Sequence, residues 1–137
     1  VGLLRGSFVF IADLVRELKM PVEVDFLEVS SYGDAMTSSR EVRILKDLRG
    51  EINGLDVLLV EDIVDTGNTI EELKVIFKEK KVKHLKIATL FFKPEAYKKD
   101  IKIDYVGIRI PNKFIVGFGL DYDGLGRNLP DVYQLAE

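Results

Sequence analysis

Cysteine is absent from this chain of 137 residues. Disulfide staples, thiolate metal sites and a cysteine nucleophile are therefore excluded, and the absence agrees with a reducing compartment. Long apolar runs are missing too: no stretch approaches the roughly 18 to 20 residues needed to span a bilayer, and no charged start followed by an apolar segment marks a signal peptide. The expectation is a cytoplasmic chain with no membrane partner. Excess charge is scarce, since 20 basic and 23 acidic side chains leave a net charge of −3. That is too little to draw nucleic acid over a distance, so an anionic ligand would have to be held by local donors or a metal. Histidine is reduced to one, His84, beside lysines at a strand start. No triad or zinc cluster can be assembled from it, and its expected role is structural.

What remains is 47% apolar, enough for one domain over residues 1–137 with a core that folds without staples. The chain opens on Val1-Gly2-Leu3-Leu4, which reads as the inner half of a buried strand. Termini usually fray at the surface, so residues upstream of Val1 are expected to belong to the protein and to be missing here.

Strand-like and helix-like patterns alternate, which predicts an α/β fold with a doubly wound, mostly parallel sheet and helices on both faces. Phe8, Ile11, Ala12, Leu14, Val15 and Leu18 form one helical stripe ending before Pro21. Val22, Val24 and Phe26 alternate with Glu23 and Asp25 as a half-buried strand. Ser30 to Arg40 is polar and aperiodic, which suits a mobile loop, and Val42 to Leu45 a short strand. Asp56 to Val60 reads as a strand buried on both faces, and Ile70, Leu73, Ile76 and Phe77 as a helical stripe. Leu85 to Phe92, Tyr105 to Ile110, Phe114 to Leu120 and Val132 to Leu135 complete the strand candidates.

The chemistry gathers in Glu61-Asp62-Ile63-Val64-Asp65-Thr66-Gly67-Asn68-Thr69, between the buried strand and the next helix. Open parallel sheets bind ligands beyond the carboxyl ends of their strands, where a helix start offers unpaired N–H groups and a positive dipole end. Phosphate suits that place. Gly67 permits close backbone approach, and Thr66, Asn68 and Thr69 offer side-chain donors or a helix cap. Glu61 and Asp62 repel phosphate but suit ribose hydroxyls or a hydrated magnesium ion. Taken singly, these residues also fit an ordinary loop with a capped helix. Arg5-Gly6-Ser7 before a helix start is a second anion-binding geometry.

The segment from Val57 to Thr69 resembles the phosphoribosyl pyrophosphate signature of the type I phosphoribosyltransferases. Leu3 to Phe10, Val24 to Phe26, Ser30 to Tyr32, Ala88 to Lys93 and Ile110 to Asn128 are similar to the bacterial hypoxanthine-guanine enzymes. The resemblance implies the type I fold with a small partial hood. It implies transfer of a 5-phosphoribosyl group from phosphoribosyl pyrophosphate, with Mg²⁺, to hypoxanthine or guanine, giving IMP or GMP and pyrophosphate. A homodimer or homotetramer is also implied.

Role by role, the resemblance makes Asp65 the general acid or base at purine N7 and Asp65 to Thr69 the cradle of the 5′-phosphate. Glu61 and Asp62 would hold the ribose hydroxyls and the metal's water shell, with Asp121 near a second magnesium and the base edge. Arg5, Gly6 and Arg127 would meet pyrophosphate, in a loop where the family carries a non-proline cis peptide. Lys93 would donate to the purine O6, Phe114 would stack on the ring, and the Ile115 backbone would read its edge. Ser31 and Tyr32 would open a catalytic loop whose closure excludes water. The family's amino-terminal helix and the start of its first strand are absent, and Pro94-Glu95-Ala96 lacks a basic residue that some relatives carry. Two other readings share the phosphate cup: a xanthine-preferring phosphoribosyltransferase, and a phosphoribosyl pyrophosphate-sensing regulator that binds nucleic acid without turnover. An intact Asp65, Lys93 and Phe114 and the lack of a basic patch argue against the regulator.

Overall fold

The computed structural model describes residues 1–32 and 41–136, without the side chains of residues 31, 32 and 41. In chain order the elements are β1 (Gly2–Leu4), α1 (Phe8–Glu17), β2 (Phe26–Tyr32), β3 (Glu41–Lys46), β4 (Asp56–Val64), α2 (Asn68–Glu79), β5 (His84–Phe92), β6 (Tyr105–Arg109), β7 (Ile115–Val116) and β8 (Tyr133–Gln134).

The main sheet has six strands in the order β3-β2-β1-β4-β5-β6. All neighbours run parallel except β2 and β3, which are antiparallel at one edge. From β1 the chain moves outward to β2 and β3, and then returns to the other side of β1 as β4. The order reverses between β1 and β4, and a reversal of this kind opens a crevice beyond the strands' carboxyl ends. A small antiparallel sheet of β7 and β8 lies apart from the main one. Among the described residues no helix is long and apolar enough to cross a membrane.

The predicted helical stripe of α2 is the heart of the core. Ile70, Leu73 and Phe77, spaced three and four apart on one helical face, are buried against Leu3, Leu27, Val57, Leu59 and Ile87 of the sheet. On the other face α1 buries Ile11 against Gly2, where a β-carbon would overlap the Ile11 side chain. The helices thus take opposite faces, as the alternating pattern predicted.

Two expectations about strand limits are corrected. Residues 22–25 are not a strand: the β1–β2 ladder starts at Phe26, and Val22 and Val24 are exposed. The Asp25 carboxylate accepts hydrogen bonds from the backbone N–H groups of Phe26, Arg49 and Gly50 at 2.8 to 3.1 Å, which ties the chain before β2 to the bend at residues 49–50 in place of a strand partner. The polar stretch from Ser30 begins as strand, because Ser30, Ser31 and Tyr32 pair with Arg43, Val42 and Glu41. The rest of that expected loop, residues 33–40, lies outside the described residues.

Phe77 is fully buried in this core. Phe77→Ala should lower the free energy of unfolding by about 3 to 5 kcal/mol, the usual cost of emptying a packed aromatic site, as read from equilibrium urea denaturation.

Candidate active site

β4 is hydrogen-bonded to β1 and β5, and its ladder with β5 continues through Glu61↔Thr89 and Ile63↔Phe91 to Val64↔Phe92. The sequence reading ended this strand at Val60 because acids follow, yet Glu61 and Asp62 lie inside it. Glu61 is only 4% exposed. Burial, then the neighbouring Asp62 charge and a hydrogen bond with it, raise the Glu61 carboxyl well above the usual carboxylate range. Burial also raises Asp62, against the opposing hydrogen bond from its own neighbour's N–H, Ile63 N at 2.8 Å. Burial thus favours the neutral form of each group, which lessens the cost of holding two acids side by side at the end of the strand.

After Val64 the chain turns through Asp65 and Thr66 into α2. Gly67 is the helix N-cap with φ of +93°, a left-handed conformation that favours glycine. Its missing side chain also makes room for the Tyr97 ring and the Lys99 stem, which a β-carbon would overlap. Thus glycine here also allows close packing of protein behind the turn. Lys98 N donates to Thr66 O at 3.0 Å, and Lys99 pairs with Glu71 at 3.1 Å. Gly67 has no side chain with which to cap α2, and the Thr66 hydroxyl instead accepts from Asn68 N at 3.4 Å at the start of the helix. Residues 61–70, with Leu3 and Val29, line a cavity of about 310 Å³, in which the first-turn N–H groups of α2 lack intrahelical acceptors.

A second cavity of about 320 Å³ adjoins it, lined by Arg5, Gly6, Lys93, Phe114, Ile115, Asp121 and Arg127 among others. Asp62 and Asp65 line both cavities. The sheet register explains why Asp65 meets Lys93: Val64 and Phe92 are the last ladder partners, so the next residues emerge side by side. Lys93 is buried, and its Nζ lies 3.4 Å from Asp65 Oδ2. Phe114, which residue type alone would place in the core, is 51% exposed and edge-on to Tyr122 with ring centroids 5.8 Å apart.

Arg5 follows a cis Leu4–Arg5 peptide and pairs with Glu28 at 3.2 Å. Gly6 sits so close to Asp62 that a β-carbon would overlap its carboxylate. On the other side, a β-carbon on Gly119, at φ of +100°, would overlap the Gly6 carbonyl oxygen. Arg127 donates to Gly119 O at 2.7 Å and lies 3.4 Å from Asp121 Oδ1. The structure therefore brings Arg5, Gly6, Glu61, Asp62, Asp65, Thr66, Gly67, Asn68, Thr69, Lys93, Phe114, Ile115, Asp121 and Arg127 around two joined cavities. The side chains of Ser31 and Tyr32 lie outside the described residues.

The three expected metal ligands do not form one cluster: among the described residues no three Asp, Glu, His or Cys side chains group closely enough to hold an ion. Glu61 and Asp62 are adjacent, and two carboxylates completed by ligand phosphates are a sufficient magnesium donor set. Gly119, Tyr97 and Lys99 were not foreseen, because no motif marks a contact made from behind. His84 pairs with Asp56 at 2.8 Å at the opposite ends of β4 and β5, both side chains exposed and away from the cavities.

The raised Glu61 carboxyl sets a pH dependence for the metal-free protein. The folded chain keeps a proton that the unfolded chain has lost, so this group's stabilisation is present below the ordinary carboxylate range and is lost as pH rises. Glu61→Gln, which stays neutral, should gain stability over the parent progressively as pH rises above the ordinary carboxylate range in denaturant titrations. Parallel pH profiles for the two proteins would mean that Glu61 is ionised in the fold.

The family model described as phosphoribosyl transferase domain matches residues 1–123. Hypoxanthine phosphoribosyltransferase of Salmonella typhimurium is 51% identical over 136 residues, covering 99% of this chain and 76% of that protein. Hypoxanthine-guanine phosphoribosyltransferase of Streptococcus thermophilus is 51% identical over 137 residues, covering 100% and 76%. A crystal structure of a hypoxanthine phosphoribosyltransferase from Staphylococcus aureus aligns with a TM-score of 0.93 at 44% identity, covering 98% of this chain and 73% of that one. Sheet order, the turn from β4 into α2 and these matches agree, and the chain belongs to the phosphoribosyltransferase family.

Proposed function

We propose that the chain transfers the 5-phosphoribosyl group of phosphoribosyl pyrophosphate to hypoxanthine or guanine, forming IMP or GMP and releasing pyrophosphate. The observation that carries this reading is the position of Asp65 on the boundary of the two cavities, with the α2 start on one side and Lys93 on the other. The 5′-phosphate is held by the first turn of α2 with Thr66, Gly67, Asn68 and Thr69, where N–H groups and the helix dipole favour an anion. The ribose lies over Glu61 and Asp62. The purine enters the second cavity, where Phe114 covers its ring and the Ile115 backbone meets its edge.

In the transfer, purine N9 bonds to C1′ of the ribose as the C1′–oxygen bond breaks and pyrophosphate leaves with the electron pair. Asp65 accepts the proton that N7 loses, a task for a carboxylate within reach of that nitrogen. Lys93 donates to O6, which disfavours adenine because its 6-amino group is itself a donor. Arg5, Gly6 and Arg127 face the pyrophosphate, and Ser31 and Tyr32 open the loop that shields the site. Glu61 and Asp62 would hold Mg²⁺ with the substrate's oxygens, with Asp121 beside the base, and the ion would neutralise charge on the pyrophosphate.

Initial rates with hypoxanthine, guanine, xanthine and adenine test the assignment. Hypoxanthine or guanine should be the best acceptor, and adenine or xanthine as the only good one would overturn it. Asp65→Asn should cut kcat by roughly 100-fold or more, the weight of a lost general base, with little change in phosphoribosyl pyrophosphate binding by calorimetry.

A further inference from the structure

The Lys93 side chain is 8% exposed and that of Asp65 50%. Asp65 is the one carboxylate within ion-pair distance of Lys93 among the described residues. A buried ammonium is costly without a counter-charge, and Asp65 supplies it to Lys93. Their separation of 3.4 Å is long for a charge-assisted hydrogen bond, which makes the contact one that a better partner displaces. Only the side chain has freedom to do so. Lys93 N donates to Val64 O at 3.0 Å, and Lys93 O accepts from Tyr97 N at 3.2 Å.

A 6-oxopurine presents its O6 acceptor and N7 donor side by side, the complement of an ammonium beside a carboxylate. We propose that Lys93 gates Asp65: the ammonium occupies the carboxylate until a base with an acceptor at C6 draws it away, and only then is Asp65 free for the N7 proton. Lys93 is in this respect a positioning residue, and base selection acts on turnover as well as on binding. The gate rests on the reading of Asp65 as proton acceptor. The bonds made and broken are those of the transfer itself, with the N7 proton ending on Asp65.

A base with no substituent at C6 isolates the effect. Unsubstituted purine keeps N7 and N9 but cannot recruit Lys93. At saturation the parent protein should turn it over roughly tenfold or more slowly than hypoxanthine, the weight of one hydrogen bond to a charged group. Lys93→Met should then raise kcat for unsubstituted purine by roughly the same factor while raising KM for hypoxanthine. Lys93→Arg, which keeps charge and donor, should preserve the parent ranking.

If Lys93 were a plain O6 donor, Lys93→Met would raise the hypoxanthine KM and leave the purine kcat at its parent value, and that result overturns the gate. Loss of turnover with both bases at an unchanged melting temperature overturns it as well. Should Lys93→Met fold poorly, the parent protein decides, since equal kcat for the two bases leaves nothing to gate. Asp65→Asn with undiminished hypoxanthine turnover would instead remove the proton-acceptor reading beneath it.

Discussion

The arrangement depends on one strand carrying acid where strands are usually apolar. β4 is enclosed by β1 and β5, and its ladder does not stop at Val60 but runs through Glu61 and Asp62. Burying Glu61 beside the half-buried Asp62 is tolerable because burial favours the neutral form of each carboxyl and the pair shares a hydrogen bond. With those acids fixed, the neighbours fall into place. The end of β1 brings Gly6 onto Asp62, the exit from β4 turns into α2, and the register with β5 sets Lys93 beside Asp65. Charge, cup and base side are consequences of a single register.

Much of this was legible in residues alone. The stripe of Ile70, Leu73 and Phe77 has a period only a helix satisfies, and those side chains are the core. The run from Val57 to Val60 marked an interior strand, and the residues behind it marked a site. Two kinds of feature escaped. Strand limits were misplaced wherever polarity was taken for loop: Ser30 to Tyr32 and Glu61 to Val64 are strand because a partner's backbone meets them, and side-chain pattern does not report that partner. Conversely, Val22 and Val24 alternate like a strand, yet no strand partner among the described residues meets them and the Asp25 carboxylate is tied to the backbone of Phe26, Arg49 and Gly50.

The second kind is support from distant chain. Gly67 was read as a place for ligand to approach, and its missing side chain also accommodates Tyr97 and Lys99 from behind, which the reading did not include. Such contacts join residues about thirty positions apart, and no local spacing encodes them. Phe114 shows the reverse: its residue type suggests interior, but it stands at the open cavity as a flat apolar surface. Sequence locates reactive groups well, because chemistry restricts residue choice. The scaffold behind them is under looser restriction and leaves a fainter trace.

The close approach of Gly119 to Gly6 ties an early loop to a very late one. During synthesis the β1–α1 loop leaves the ribosome long before its brace exists, and domains assemble as their chain is completed. Because a domain generally folds as a unit, the β1–α1 loop and the wall that braces it are secured together, once the segment around Gly119 has been added to the chain.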